Sequence, residues 1–230
     1  MRKILVLFFF LLYASMGHAM LSFYKLWGLY TYNGRYNDLL YLVEPQLRIV
    51  NREGVYEQLL INQGFGFWAT KTLQLWAGQT IVNNFASNNV VEDIQIGVTG
   101  EYRLWQQINY VRSNTLMDNI VFRNRLEERH AESLSSWAVR FRDRLYWTIP
   151  IAKNQSIYIS DEFFINVNRP NWISTQTFDQ NRLYLGILQN LGPSLNFTIS
   201  YLNQYLTTNV REVNHGIVLN VTYTSSNFFS

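Results

Sequence analysis

The chain has 230 residues, 48% of them hydrophobic and 15% charged, with 19 Lys and Arg against 16 Asp and Glu and no cysteine. The missing cysteine excludes disulfides, thiolate metal ligands and thiol chemistry. The pI of 9.1 does not point to nucleic acid. Part of the net charge of +3 sits at the extreme N-terminus, and the remaining arginines are interleaved with glutamates inside apolar segments rather than gathered in one patch.

Arg2 and Lys3 precede an apolar run from Ile4 to Tyr13, and Gly17-His18-Ala19 places small residues at the −3 and −1 positions of a cleavage site. The run is shorter than the ~18–20 residues of a spanning helix, so residues 1–19 read as a secretory signal peptide and 20–230 as one mature domain. No cysteine follows the cut, which excludes a lipoprotein.

The mature chain reads as a succession of β-strands: Leu21–Tyr32, Asn37–Val50, Val55–Trp68, Thr72–Val82, Val91–Tyr110, Asn119–Arg129, Ser136–Ile149, Ser156–Val167, Phe178–Gln189, Leu195–Leu206 and His215–Tyr223. Asn33-Gly34 and Asn51–Gly54 carry turn chemistry, and Pro150 and Pro193 fall in short turns. Pro45 interrupts the second strand and predicts a bulge, because proline donates no ladder hydrogen bond. Asn83–Asn89, Asn168–Thr177 and Thr207–Asn214 are longer polar connections that alternate with short ones.

In nearly every strand the two parities separate by polarity. Arg123, Arg125, Glu127 and Arg129 share one face against Phe122 and Leu126; Arg140, Arg142 and Arg144 share one against Trp137, Val139, Phe141, Leu145 and Trp147. No helical segment is present to cover so many apolar faces. A closed antiparallel transmembrane β-barrel resolves this, with apolar side chains toward acyl chains and polar ones inside. At ~9–11 residues per tilted strand the mature chain supplies roughly ten to twelve strands. Eleven segments are legible, but single-chain bacterial barrels have even counts, so twelve strands are expected, with ten as the alternative. Short turns on the periplasmic side and long loops outside make the C-terminus periplasmic.

Parity assigns Glu44, Arg48, Glu101, Arg103, Arg123, Arg125, Glu127, Arg129, Arg140, Arg142, Arg144, Glu162 and Arg182 to a lumen charge network. Arginine suits such a network because its planar guanidinium holds two acceptors at once and stays charged. A hairpin centred near Ala152 sets Arg142 across from Glu162 and Asp143 across from Asp161. The network is expected to fill the lumen as a polar plug; a narrow anion-favouring channel is the alternative. Asn124, Asp143, Asp161 and Asn181 fall on the apolar parity, where bulges that turn them inward are expected, a subunit contact being the alternative. Trp137 and Trp147, ten positions apart on one face, match the two aromatic girdles that flank a lipid-facing band about 25 Å tall.

The segments Glu101-Tyr-Arg-Leu-Trp-Gln-Gln, Arg123-Asn-Arg-Leu-Glu-Glu-Arg129, Arg140-Phe-Arg-Asp-Arg144, Asp161-Glu-Phe-Phe and Phe178-Asp-Gln-Asn-Arg182 resemble a bacterial outer-membrane β-barrel family, domain of unknown function 2490. The resemblance covers nearly the whole mature chain. It implies a single barrel in the outer membrane of a Gram-negative bacterium and no particular activity.

Lipid-modifying barrels pair a serine with a histidine and an acid or amide. Of the histidines after residue 19, His130 lies near Glu128, Glu132, Ser133 and Ser135, and His215 stands beside Gly216. Neither sits in a recognisable hydrolase motif, and two isolated histidines make a poor metal site. The expectation is a non-enzymatic barrel without cofactors, with lipid chemistry at His130 as a minor alternative. Its partners are outer-membrane lipids and, during biogenesis, the barrel insertion machinery. No oligomeric state follows from the sequence.

Overall fold

The period-two segments form strands because alternating branched, aromatic and polar side chains fit a pleated wall with two different environments. The computed structural model describes residues 22–50, 56–85, 100–113, 119–132, 134–207 and 212–225. These hold eleven strands: β1 (Tyr24–Tyr36), β2 (Leu39–Val50), β3 (Tyr56–Trp68), β4 (Leu73–Asn84), β5 (Gly100–Ser113), β6 (Asn119–Ala131), β7 (Trp137–Ala152), β8 (Gln155–Asn166), β9 (Phe178–Asn190), β10 (Leu195–Leu206) and β11 (Glu212–Ser225). The expected signal peptide, Ser133 and the first part of the Val91–Tyr110 segment lie outside the described residues.

Each strand pairs with its sequence neighbours, and β1 pairs with β11, so the sheet closes into a barrel with no free edge. Ten of the contacts are antiparallel. The closing one is parallel, running from Tyr24 opposite His215 to Gly34 opposite Ser225. The odd strand count requires this: in an up-and-down chain the first and eleventh strands point the same way. β1 therefore starts at the end where β11 starts. That end also carries the long connections, including residues 85–99 and 167–177, while the C-terminal strand finishes among the short turns.

Polarity is inverted relative to a soluble protein. Phe65 is 70% exposed and Leu185 55%, whereas Glu127, Arg129 and Glu162 are fully buried. The transmembrane barrel that parity predicts is thus the observed architecture, one strand short of twelve.

Several local expectations are corrected. Asn33-Gly34 lies inside β1, and the turn falls at Asn37, which adopts a positive φ of 53°. Asparagine tolerates that region better than most residues. Pro45 stays in register opposite Ile61, and the bulge lies instead between Arg48 and Ile49. On its other side the β1–β2 pairing lapses between Leu29–Gln46 and Tyr32–Val43, where the proline nitrogen carries no hydrogen. Pro150 belongs to β7, with a bulge between Pro150 and Ala152. The turn is therefore at Lys153-Asn154, which sets Glu162 opposite Arg144, Phe164 opposite Arg142 and Phe163 opposite Asp143.

The outward polar residues are not turned in by bulges. Asn124 and Asp143 are direct cross-strand partners on the outer parity, with the Asn124 amide donating to the carboxylate at 2.6 Å. Asn181 donates to Asp161, also at 2.6 Å. Each carboxylate offsets part of its cost on an apolar wall through an amide donor.

Candidate functional site in the barrel lumen

On β5 to β8 the lumen-facing charges occupy three levels, each built on one glutamate. At the long-loop level, Arg103 and Arg129 are opposite each other on β5 and β6, and Glu101 joins them. Arg103 binds Glu101 through two hydrogen bonds of 2.8 Å, and Arg129 Nε donates to the same carboxylate at 2.5 Å. In the middle, Glu127 accepts from Arg140 Nη2 at 2.9 Å and from Arg142 Nη1, and lies 3.7 Å from Arg125. Arg140 also reaches Asp179 at 3.3 Å. Nearer the short turns, Glu162 binds Arg123, Arg142 Nη2 at 2.7 Å and Arg144 Nη1 at 3.8 Å.

Guanidiniums that outnumber carboxylates find other partners. Arg144 is boxed by three tyrosines: it donates to Tyr158 Oη at 2.8 Å, and its Cζ lies 4.2 Å from the Tyr146 ring centre and 4.7 Å from that of Tyr184. Arg125 stacks 4.0 Å over Trp105. Arg48 and Arg182 both lie over Trp27, at 4.2 and 4.9 Å. Arg48 donates to Gln58 and Gln46, and Arg182 to Gln180. Glu44 accepts from Thr31, Gln46 and Asn62. All thirteen residues expected in the network therefore face inward. Arg142 meets Glu162 as expected, although the register opposes it to Phe164: its long side chain bridges the two-residue offset.

The wall opposite these indoles is made of glycine. Trp105 lies against Gly64 and Gly78, and Trp76 against Gly66; a Cβ at any of the three would overlap the ring. Inward glycines thus let large flat side chains lie along the wall instead of crossing the lumen.

On the long-loop side the lumen is filled. Glu101, Glu127, Arg129, Gln58, Gln180, Gln204 and Asn214 are all at most 3% exposed. Lys25 and Glu57 form a further buried ion pair there, at 2.9 Å. The 167–177 connection folds over this layer. Trp172 and Ile173 bury against Ala131 and Ala138, Trp172 Nε1 donates to Ser136 O at 3.0 Å, and the ring faces Arg129. On the short-turn side the lumen opens into a cavity of about 590 Å³. Nine arginines and two glutamates, Glu44 and Glu162, line it, whereas Glu101, Glu127 and Asp179 lie outside its lining. The cavity lies beneath the filled layer, and its walls carry excess positive charge.

Sequence reasoning misses three features here. Trp172 lies in a connection that is otherwise polar, and the adjacent Trp-Ile pair was its available signal. Gly64, Gly66 and Gly78 share the inward parity, a pattern visible in retrospect. Lys25, Glu57 and Asp179 stand too near strand ends for parity to place them. Trp137 (45% exposed) begins β7, and Trp147 stands ten residues further along the same parity.

His130 stacks on Trp137 at 4.8 Å, and its Nδ1 has no hydrogen-bond partner among the described residues. His215 Nδ1 meets the Tyr201 hydroxyl at 2.5 Å. Among the described residues no three His, Asp or Glu side chains converge on a metal-sized site.

The family described as "Protein of unknown function (DUF2490)" matches residues 24–215, from the first strand into the last. The chain belongs to this family. An uncharacterized protein of Methylorubrum extorquens is 26% identical to this DUF2490 member over 202 residues, 86% of each chain. Among solved structures, the NanC porin superimposes with a TM-score of 0.51 at 11% identity, covering 86% of this chain and 98% of the porin. That likeness concerns the barrel fold alone.

Proposed function

We propose that this DUF2490 protein is a non-enzymatic barrel of the Gram-negative outer membrane, exported by its N-terminal signal peptide, whose lumen serves as a blind anion-binding vestibule. The short turns face the periplasm, so the vestibule opens inward and the filled Arg/Glu layer faces the outside. The observation that carries this reading is the cavity lining of nine arginines and two glutamates beneath a layer whose carboxylates are already engaged. Clustered guanidiniums in a low-dielectric enclosure attract anions strongly. Against an enzyme stands the unsupported imidazole of His130: a catalytic histidine is oriented by an acid at its second nitrogen.

Planar-bilayer recording of the purified protein tests this directly. A blind vestibule gives no unitary conductance. Anion-selective steps that disappear when Arg140, Arg142 and Arg144 are replaced by Gln support instead the second reading, a narrow anion-favouring channel, which the same arginine excess favours. Fatty-acid release from lipid A or phospholipid that is lost in His130→Ala would overturn the non-enzymatic assignment.

A further inference from the structure

The vestibule has two unlike walls. On β6 and β7, Arg123 and Arg144 stand directly opposite each other. Glu162 serves both of them as well as Arg142, and the Arg123 Nε remains without a hydrogen-bond partner although it is buried. Like charges placed directly across a strand pair repel, and an orphaned guanidinium donor adds a desolvation cost. Both costs fall when a second anion enters. The other wall carries an apolar patch, beside the Arg48 and Arg182 guanidiniums that stack on Trp27. β1 lies five strands from β6 one way around the ring and six the other, so it faces the arginines across the lumen. Leu29 of β1 and Tyr158 of β8, whose hydroxyl also accepts from Arg144, pack, partly buried, against the cluster of Trp27, Tyr184, Leu202 and Val218, and Leu188 joins them in lining the cavity.

A small hydrated anion satisfies only the first wall. We propose that the vestibule binds an amphipathic organic carboxylate, its acid group on Arg123 and Arg144 and its apolar body against Leu29, Tyr158 and Leu188. This rests on the anion-binding reading above and names its ligand class. The acid supplies an acceptor to Arg123, whose Nε lacks one, and adds negative charge beside Arg144, whose Nε and Nη2 already donate to the neutral Ser160 and Tyr158 hydroxyls. The body removes apolar wall from water, which favours binding in proportion to the area covered. A cavity of about 590 Å³ falls within the range of roughly 300–1,000 Å³ typical of small-molecule sites.

The test is calorimetric titration of the full chain in phosphatidylcholine nanodiscs, with empty nanodiscs as the blank. Three probes are used: 2-naphthoate, gluconate (an acid with a polar body) and 2-naphthalenemethanol (the same body without the acid). The unaltered protein should bind 2-naphthoate at least tenfold more tightly than either of the others. Replacing Arg123→Gln and Arg144→Gln together should lower naphthoate affinity at least tenfold, and Leu29→Asn should weaken naphthoate several-fold while leaving gluconate unchanged. Gluconate binding as tightly as naphthoate would overturn the amphipathic proposal and leave the anion reading standing. Equal binding of naphthalenemethanol and naphthoate, or no binding of either acid, would overturn both.

Discussion

Arg123 and Arg144 oppose each other directly across β6 and β7, and both reach the one carboxylate of Glu162 on the next strand. The arrangement recurs. Arg125 opposes Arg142 and the two share Glu127; Arg103 opposes Arg129 and the two share Glu101. Each glutamate therefore holds together a pair of like charges that the sheet register would otherwise set against each other.

Loss of such a bridge should be costly. Glu162→Gln leaves three guanidiniums around a neutral amide. Breaking a buried pair by removing one partner typically costs about 3–5 kcal/mol. Reversible urea unfolding in lipid vesicles should show a loss of that order. Glu44→Gln, whose partners Thr31, Gln46 and Asn62 are neutral, should show the smaller loss.

The glycine wall makes a steric prediction. In Gly78→Ala the new methyl meets the Gln63 carbonyl oxygen and the Trp105 ring, and the backbone oxygen cannot swing away. A cost of about 1–3 kcal/mol is expected from overpacking, along with altered tryptophan fluorescence. Gly28→Ala, where nothing lies within 4 Å of the added Cβ, is the control and should be near neutral by the same unfolding assay.

Trp172 caps the filled layer from the long-loop side. Trp172→Gly removes the indole that rests on Arg129 and its hydrogen bond to Ser136. In planar bilayers this variant should conduct at least intermittently and favour anions, where the unaltered barrel does not. If it stays silent while remaining folded, the buried Arg/Glu layer alone closes the lumen.

Face polarity was legible in the sequence because it is a local property. Arg140, Phe141, Arg142 and Asp143 alternate whatever the neighbouring strands do. Register was less legible, since it is set by turns and bulges. The turn falls at Lys153-Asn154 and a one-residue bulge follows beside Pro150, so the hairpin centre lies at Lys153 rather than Ala152 and Arg142 faces Phe164 rather than Glu162. The ion pair survives only because arginine is long. Trp172 was not legible, because the path of a connection over a barrel mouth depends on contacts with Ser136 and Arg129 that are distant in sequence. The Asn124–Asp143 pair was read correctly in parity, but its relief comes from a cross-strand hydrogen bond rather than a bulge.

The lipid-facing wall makes its own prediction. Leu126 is 38% exposed on β6, between the inward Arg125 and Glu127. Leu126→Arg should cost about 2–4 kcal/mol when the protein is folded into bilayers, the cost of a cationic side chain near the midplane of a barrel's outer face. The same variant in detergent micelles should lose much less.

The central claim is that the arginine parity faces an enclosed lumen and the apolar parity faces acyl chains. The natural chain has no cysteine, so single cysteines can be placed cleanly and spin-labelled along β5 to β7. Collision with oxygen, which concentrates in lipid, and with a water-soluble nickel chelate should then be measured in bilayers. Labels at Ile108, Leu126 and Phe141 should be accessible to oxygen and shielded from the chelate, and labels at Gln107 and Tyr146 should show the reverse preference or shielding from both. Chelate access at Phe141 and Leu126 equal to that of a surface loop, or oxygen access at Gln107 equal to that at Ile108, would contradict the account.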